Sequence, residues 1–109
     1  TAGVNLRESA DKVSNRSWDM TQILNVKAPF MLAQKLVPAM QSRGWGRIIN
    51  VASLQSSRAF AKGIAYGASK GAVTQLTRAM AEAWSTNGIT ANAIAPGKPE
   101  TMSVGKCVA

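Results

Sequence analysis

Two short runs of apolar, β-branched residues, each preceded by a longer helical pattern, constrain the fold of this chain more than any other feature. Residues 47–53 and 89–95 have the length and composition of buried strands in a parallel sheet. Helical periodicity covers residues 14–43 and residues 64–86, so a helix separates the two strands. Parallel strands need such a crossover connection. The order helix, strand, helix, strand therefore predicts an α/β fold with a parallel sheet.

Turn-forming residues set the expected ends of these elements. Residues 1–13 are predicted to form a loop that follows a strand, and Ser14 is the expected N-cap of the first helix. We predict a break at Asn25, with a new helix starting near Ala28, because a proline follows Asn25 by four residues and is tolerated only in a first turn. Residues 96–109 form a polar tail after the second strand.

The net charge of +8 raises the question of a nucleic-acid partner. The basic residues are scattered singly from Arg7 to Lys106, however, and no aromatic residues alternate with them. We therefore expect a solvated surface and no nucleic-acid partner. The hydrophobic content of 46% is typical of a folded domain, and 109 residues allow at most one.

Other function classes are excluded by residues that the sequence lacks. Cys107 is the only cysteine and there is no histidine, so neither an internal disulfide nor a metal site is expected. No apolar run approaches the ~18 residues of a membrane span. We expect a cytoplasmic protein without a membrane partner.

The strongest chemical signal is the pair Tyr66 and Lys70, four residues apart on one predicted helix. Residues at this spacing share a helix face, with Cβ atoms ~5–6 Å apart. A cation about 4 Å from a phenol, at an effective dielectric of about 20, favours the phenolate by ~4 kcal/mol, or about three pKa units. Such a tyrosine could act as a general acid–base near neutral pH. The alternative is a core tyrosine beside a surface lysine.

Several motifs in register resemble the short-chain dehydrogenase/reductase family. The pair has the form Tyr-x-x-x-Lys, and Ser53 lies thirteen residues before Tyr66. Asn25, twenty-eight residues before Ser53, matches the active-site Asn of that family. The remaining matches are Ala2-Gly3, which resembles the end of an Asn-Asn-Ala-Gly motif, the strand-end pair Pro96-Gly97, and Thr101.

The resemblance implies that residues 1–109 form part of a doubly wound, parallel-sheet Rossmann domain. The glycine-rich cofactor turn and the first three strands of such a domain do not occur in this sequence. We therefore expect a fragment that lacks the N-terminal, cofactor-binding half. The residues around Ser53 and around the Tyr66–Lys70 pair are most similar to those of the gluconate, sugar-alcohol and 3-oxoacyl reductase branches of the family.

By resemblance, the proposed catalytic residues are Asn25, Ser53, Tyr66 and Lys70. Tyr66 would exchange a proton with the substrate oxygen, and Ser53 would orient and polarise that oxygen. Lys70 would favour the phenolate and hydrogen-bond the nicotinamide ribose, and the carbonyl of Asn25 would hold a water linked to Lys70. The alternative for Asn25 is that it serves only as a helix breaker.

The implied cofactor is NAD or NADP, and the residues expected to contact it include Tyr66 and Lys70. The others are Gly3, Pro96, Gly97 and Thr101. Two departures from the family pattern affect this expectation. Thr1 stands where an Asn is expected, and the short polar tail leaves no room for the usual helix over the substrate.

The resulting hypothesis is an oxidoreductase that transfers hydride between NAD(P) and a ketone or secondary alcohol. The substrate would be a small molecule such as a sugar acid, a polyol or a 3-oxoacyl compound. The two long helices are expected to form a dimer or tetramer by contacting their copies. The alternative is an inactive, truncated fragment that serves only in oligomerisation or regulation.

Overall fold

The computed structural model describes residues 2–97 and contains two parallel strands joined through a long helix. The elements are α1 (Asn15–Gln22), a π-helical turn (Ile23–Lys27), α2 (Ala28–Arg43), β1 (Gly46–Val51), α3 (Ile64–Trp84) and β2 (Ile89–Ile94). Short 3₁₀ turns lie at Ala10–Lys12, Leu54–Ser56 and Ser85–Asn87. The α/β class expected from the sequence is confirmed, and each strand and long helix ends within two residues of its expected bounds.

The first helix begins as the sequence predicts. The Ser14 side chain accepts a hydrogen bond from the backbone N–H of Ser17 at 3.0 Å, which satisfies one of the free donors of the first turn. No structural break occurs at Asn25, so that prediction was wrong. The chain instead widens into the π-helical turn and continues directly into α2.

A proline near the start of α2 does not interrupt the helix. Pro29 lies in the first turn, where its missing N–H would have had no helical partner. The helix ends at Gly44, which adopts a left-handed φ of 67°. Gly88 ends the turn after α3 with a φ of 76°, and a side chain there would also collide with the backbone carbonyl of Gly44.

The two strands pair in parallel from Gly46 opposite Ile89 to Val51 opposite Ile94. Alternate residues of each strand therefore face the helices. Ile48 and Ala91 belong to one cluster with residues of α2 and α3. The other members of this small core are Phe30, Ala33, Leu76, Met80, Ala81 and Trp84.

The opposite face of the sheet is open among residues 2–97. Ile49 is 66% exposed and Ile94 is 52% exposed, although both lie within strands. Trp18 is 40% exposed and Trp45 is 54% exposed. None of the helices in this part of the chain combines the length and hydropathy that crossing a membrane requires.

Candidate active site

Asn25 joins three separate parts of the chain through its side chain. Its Oδ1 accepts from the backbone N–H of Val4 at 2.8 Å, and its Nδ2 donates to the carbonyl of Val4 at 2.9 Å. The same Nδ2 donates to the Oγ of Ser69 at 3.0 Å. Asn25 is 2% exposed, so these bonds satisfy an amide that water does not reach. The π-helical turn is thereby tied to the loop after Gly3 and to α3.

Ser69 lies between Tyr66 and Lys70 in sequence and is fully buried. Its Oγ donates to the carbonyl of Tyr66 at 2.7 Å while accepting from Asn25. Ser69 belongs to none of the motifs that mark the candidate site in the sequence. Its place one position before Lys70 on the predicted helix was the available signal, but a serine there is equally compatible with an exposed position.

Lys70 is 5% exposed, which contradicts the alternative of a surface lysine. Its Nζ donates to the carbonyl of Val51 at 2.8 Å, at the end of β1. The Nζ also lies 5.6 Å from the centre of the Tyr66 ring. Burial lowers the pKa of Lys70 from its ordinary value of 10.5, because removal from water disfavours the ammonium form. An ammonium carries three donors, so two have no partner among residues 2–97.

Ser53 follows β1 and caps the 3₁₀ turn Leu54–Ser56. Its Oγ accepts from the backbone N–H of Gln55 at 3.1 Å, and its own N–H donates to the Oγ of Ser56 at 3.1 Å. Ser56 in turn donates to the carbonyl of Lys70 at 2.7 Å. Ser56, which sequence reasoning also missed, therefore links the turn that carries Ser53 to the helix that carries Lys70.

Two of the residues expected to contact a cofactor, Pro96 and Gly97, follow the carboxyl end of β2. The N–H of Ala52 donates to the carbonyl of Ile94 at 2.7 Å, so the segments leading to Ser53 and Pro96 leave the same edge. Pro96 and Gly97 are exposed, and a side chain added at Gly97 would contact no other atom. Gly3 is half-buried beside Val4. Thr101 lies outside the described residues.

Of the residues that the resemblance implies for cofactor binding, the structure describes Gly3, Tyr66, Lys70, Pro96 and Gly97. Within residues 2–97, Lys70 has ammonium donors without a hydrogen-bond partner and a side chain added at Gly97 would meet no neighbour, which is compatible with the nicotinamide end of the implied cofactor. Phosphates are usually held by a glycine-rich turn at a helix N-terminus. No Gly-x-x-x-Gly-x-Gly turn occurs in the sequence.

Comparison with known proteins assigns the chain to a family. The model of the short chain dehydrogenase family matches residues 1–108, and the chain belongs to this family. The resemblance seen in the sequence motifs is therefore confirmed.

Curated relatives include a NAD-dependent glycerol dehydrogenase of Listeria innocua and a gluconate 5-dehydrogenase of Gluconobacter oxydans. The first is 41% identical over 96 residues, covering 88% of this chain and 38% of the relative. The second is 39% identical over 109 residues, covering 99% of this chain and 42% of the relative. The chain therefore spans about two fifths of the length of these relatives.

A similar solved structure is that of a gluconate 5-dehydrogenase from Burkholderia cenocepacia in complex with NADP and tartrate. It superposes with a TM-score of 0.87 at 38% sequence identity, covering 89% of this chain and 38% of the other. The two-strand unit therefore corresponds to part of a larger dehydrogenase fold.

Proposed function

We propose that the protein carrying this chain is an oxidoreductase that transfers hydride between NAD(P) and a ketone or secondary alcohol. The observation that carries the proposal is the buried Lys70, held against the end of β1 with its Nζ 5.6 Å from the Tyr66 ring. Enclosing a lysine lowers its pKa and has an energetic cost, so its position beside the one tyrosine of the chain calls for a functional reason.

Tyr66 is the proposed general acid–base. In reduction it donates its phenolic proton to the carbonyl oxygen, and in oxidation it accepts the proton of the alcohol. Ser53 lies after the strand whose end binds Lys70, and its hydroxyl is the proposed donor to the same substrate oxygen. Lys70 is the proposed ligand of the nicotinamide ribose.

NAD(P) supplies the hydride chemistry when bound, and the protein positions it and moves the proton. Gly3, Pro96, Gly97 and Thr101 are the further proposed contacts. The relatives support a nicotinamide cofactor of either kind, because one is named NAD-dependent and another is solved with NADP.

The proposed substrate is a polyol or a sugar acid. The names of the relatives, which act on glycerol and gluconate, support this class over the 3-oxoacyl alternative. We further propose that α2 contacts a second copy, since Leu32 and Leu36 on this helix are exposed apolar side chains.

The test is a turnover assay on the protein that carries this chain. Gluconate, glycerate, glycerol and glucitol are each supplied with NAD and with NADP, and the absorbance of the reduced nicotinamide is followed. We expect reduction of at least one cofactor with at least one substrate, and its loss in Tyr66→Phe. Absence of turnover in every combination would contradict the proposal.

A further inference from the structure

Two cavities adjoin the first turn of α3, and Lys62 lines both. The smaller cavity has a volume of about 10 Å³ and is also lined by Tyr66 and Arg7. The larger is a groove of about 360 Å³, lined among others by Gln55, Arg58 and Phe60. The first holds little more than one water-sized group, whereas the second lies in the size range of small-molecule sites.

The backbone of this region is strained at two cationic residues. Arg7 has a φ of 51° and Lys62 a φ of 58°, and they are the only non-glycine residues of positive φ within residues 2–97. Side chains disfavour this conformation, and residues held in it are concentrated at ligand sites. Both strained residues line the cavity that contains Tyr66.

The charges around the two cavities are mainly positive. Arg58 and Lys62 are the charged residues that line the groove. Arg7 and Lys62 line the smaller cavity, where Glu8 is the one acidic side chain. A ligand with a negative charge is therefore favoured over a neutral ligand of the same shape.

We propose that this site selects a hydroxy acid, with Lys62 as the residue that binds the carboxylate. Arg7 lines one of the two cavities that Lys62 adjoins and Arg58 lines the other, so both add to the positive potential there. The inference rests on the proposed oxidoreductase function and narrows its substrate class from polyols and sugar acids to hydroxylated carboxylates.

Paired substrates test the charge requirement directly. Gluconate and glucitol share one carbon chain and differ by a carboxylate in place of a hydroxymethyl group, and glycerate and glycerol form a second pair. In the protein that carries this chain, Lys62→Gln should lower kcat/KM for the acid by at least about tenfold, as expected for a lost charged hydrogen bond. The value for the neutral partner should change by less than about twofold.

Three variants separate charge from backbone strain. Lys62→Arg keeps the charge and should retain most of the preference for the acid. Lys62→Gly relieves the strain of a positive φ but removes the charge, so it should lose the preference as Lys62→Gln does. Lys35→Gln removes an exposed lysine of α2 that lines neither cavity, and it should leave the preference unchanged.

Calorimetric binding of gluconate distinguishes failure of this inference from failure of the proposed function. If no substrate turns over but gluconate binds more tightly than glucitol, and only while Lys62 or Lys62→Arg is present, the anion site stands and the oxidoreductase function fails. Equal use or binding of acids and neutral analogues, or an acid preference that survives Lys62→Gln, would overturn the inference.

Discussion

Lys70 combines a positive charge with almost complete burial, and this combination has a thermodynamic consequence. Its folded-state pKa lies below the ordinary value of 10.5 because burial disfavours the ammonium form. At a pH between the lowered value and 10.5, the unfolded chain binds more protons than the folded chain. The free energy of unfolding therefore rises with pH in that window and is lowest, for this group, below it.

We predict that Lys70→Met removes this rise. Chemical denaturation of the protein that carries this chain, repeated from neutral pH to about the ordinary lysine pKa, would give the free energy of unfolding of both forms. The free energy of unfolding of the wild type should rise relative to that of the variant as the pH increases. Parallel curves would show that Lys70 titrates as in the unfolded chain.

The proposed acid–base role of Tyr66 makes a separate prediction. Tyr66→Phe keeps the ring that faces Lys70 but removes the phenolic proton, so kcat should fall by at least about 10²-fold. The cofactor dissociation constant, measured by nicotinamide fluorescence, should change little. Turnover close to the wild-type value would remove Tyr66 from the mechanism.

At the scale of elements, the link between the π-helical turn and α3 depends on one side-chain pair. Ser69→Ala leaves the buried Nδ2 of Asn25 with one acceptor fewer, so we expect a loss of about 1–3 kcal/mol in the free energy of unfolding and a lower kcat. Ser42→Ala is the matched control, because Ser42 also bonds a carbonyl of its own helix but is exposed.

A double-mutant cycle with Asn25→Ala measures this coupling. Residues in one hydrogen-bond network show interaction energies of about 0.5–3 kcal/mol, whereas independent residues are additive. Additive effects of Asn25→Ala and Ser69→Ala on unfolding would mean that the two side chains do not stabilise each other.

Substitutions at exposed positions of α2 would test the proposed contact of this helix with a second copy. Leu32→Glu places a charge at a side chain that is exposed in the single chain, and it should shift the assembly toward smaller species in sedimentation velocity. Gln34→Glu introduces the same charge at another exposed position of α2 and should have less effect. An identical distribution for both variants would place the contact elsewhere.

The elements themselves were largely predictable, because strand and helix periodicities are local signals. β1 and β2 were recognisable from their β-branched runs, and α3 from its apolar stripe. The π-helical turn was not, since its Asn25 is held by the backbone of Val4, a partner twenty-one residues away. A polar residue followed by a proline indicates an interruption, but not whether the helix breaks or widens.

Some residues of the candidate site were likewise predictable from the sequence, and others were not. Tyr66 and Lys70 were predictable because a spacing of four places both on one helix face. The carbonyl of Val51, which binds Lys70, is a backbone group and carries no sequence signal. Ser56 and Ser69 bond to the backbone of α3, and serines are too common for sequence alone to distinguish them.

At the scale of the whole molecule, one face of the sheet remains uncovered in the part of the chain that the structure describes. Ile49 and Ile94 are exposed there, and a two-stranded sheet with one covered face has little independent stability. The relatives are more than twice as long as the segment they share with this chain. The 109 residues alone are therefore expected to associate or to be partly unfolded.

The isolated 109-residue polypeptide has the proposed proton-transfer residues but no glycine-rich turn for the phosphates, and this determines the cofactor affinity that we expect. Tyr66 and Lys70 belong to the proton-transfer half of the proposed site, while no glycine-rich phosphate turn occurs in the sequence. The polypeptide should bind NADH and NADPH no more tightly than about millimolar, as measured by fluorescence titration. Sedimentation of the same sample would report association, and Lys70→Met would serve as the control for any residual binding. A monodisperse, cooperatively melting polypeptide with micromolar affinity would instead mean that these residues form a complete dinucleotide site by themselves.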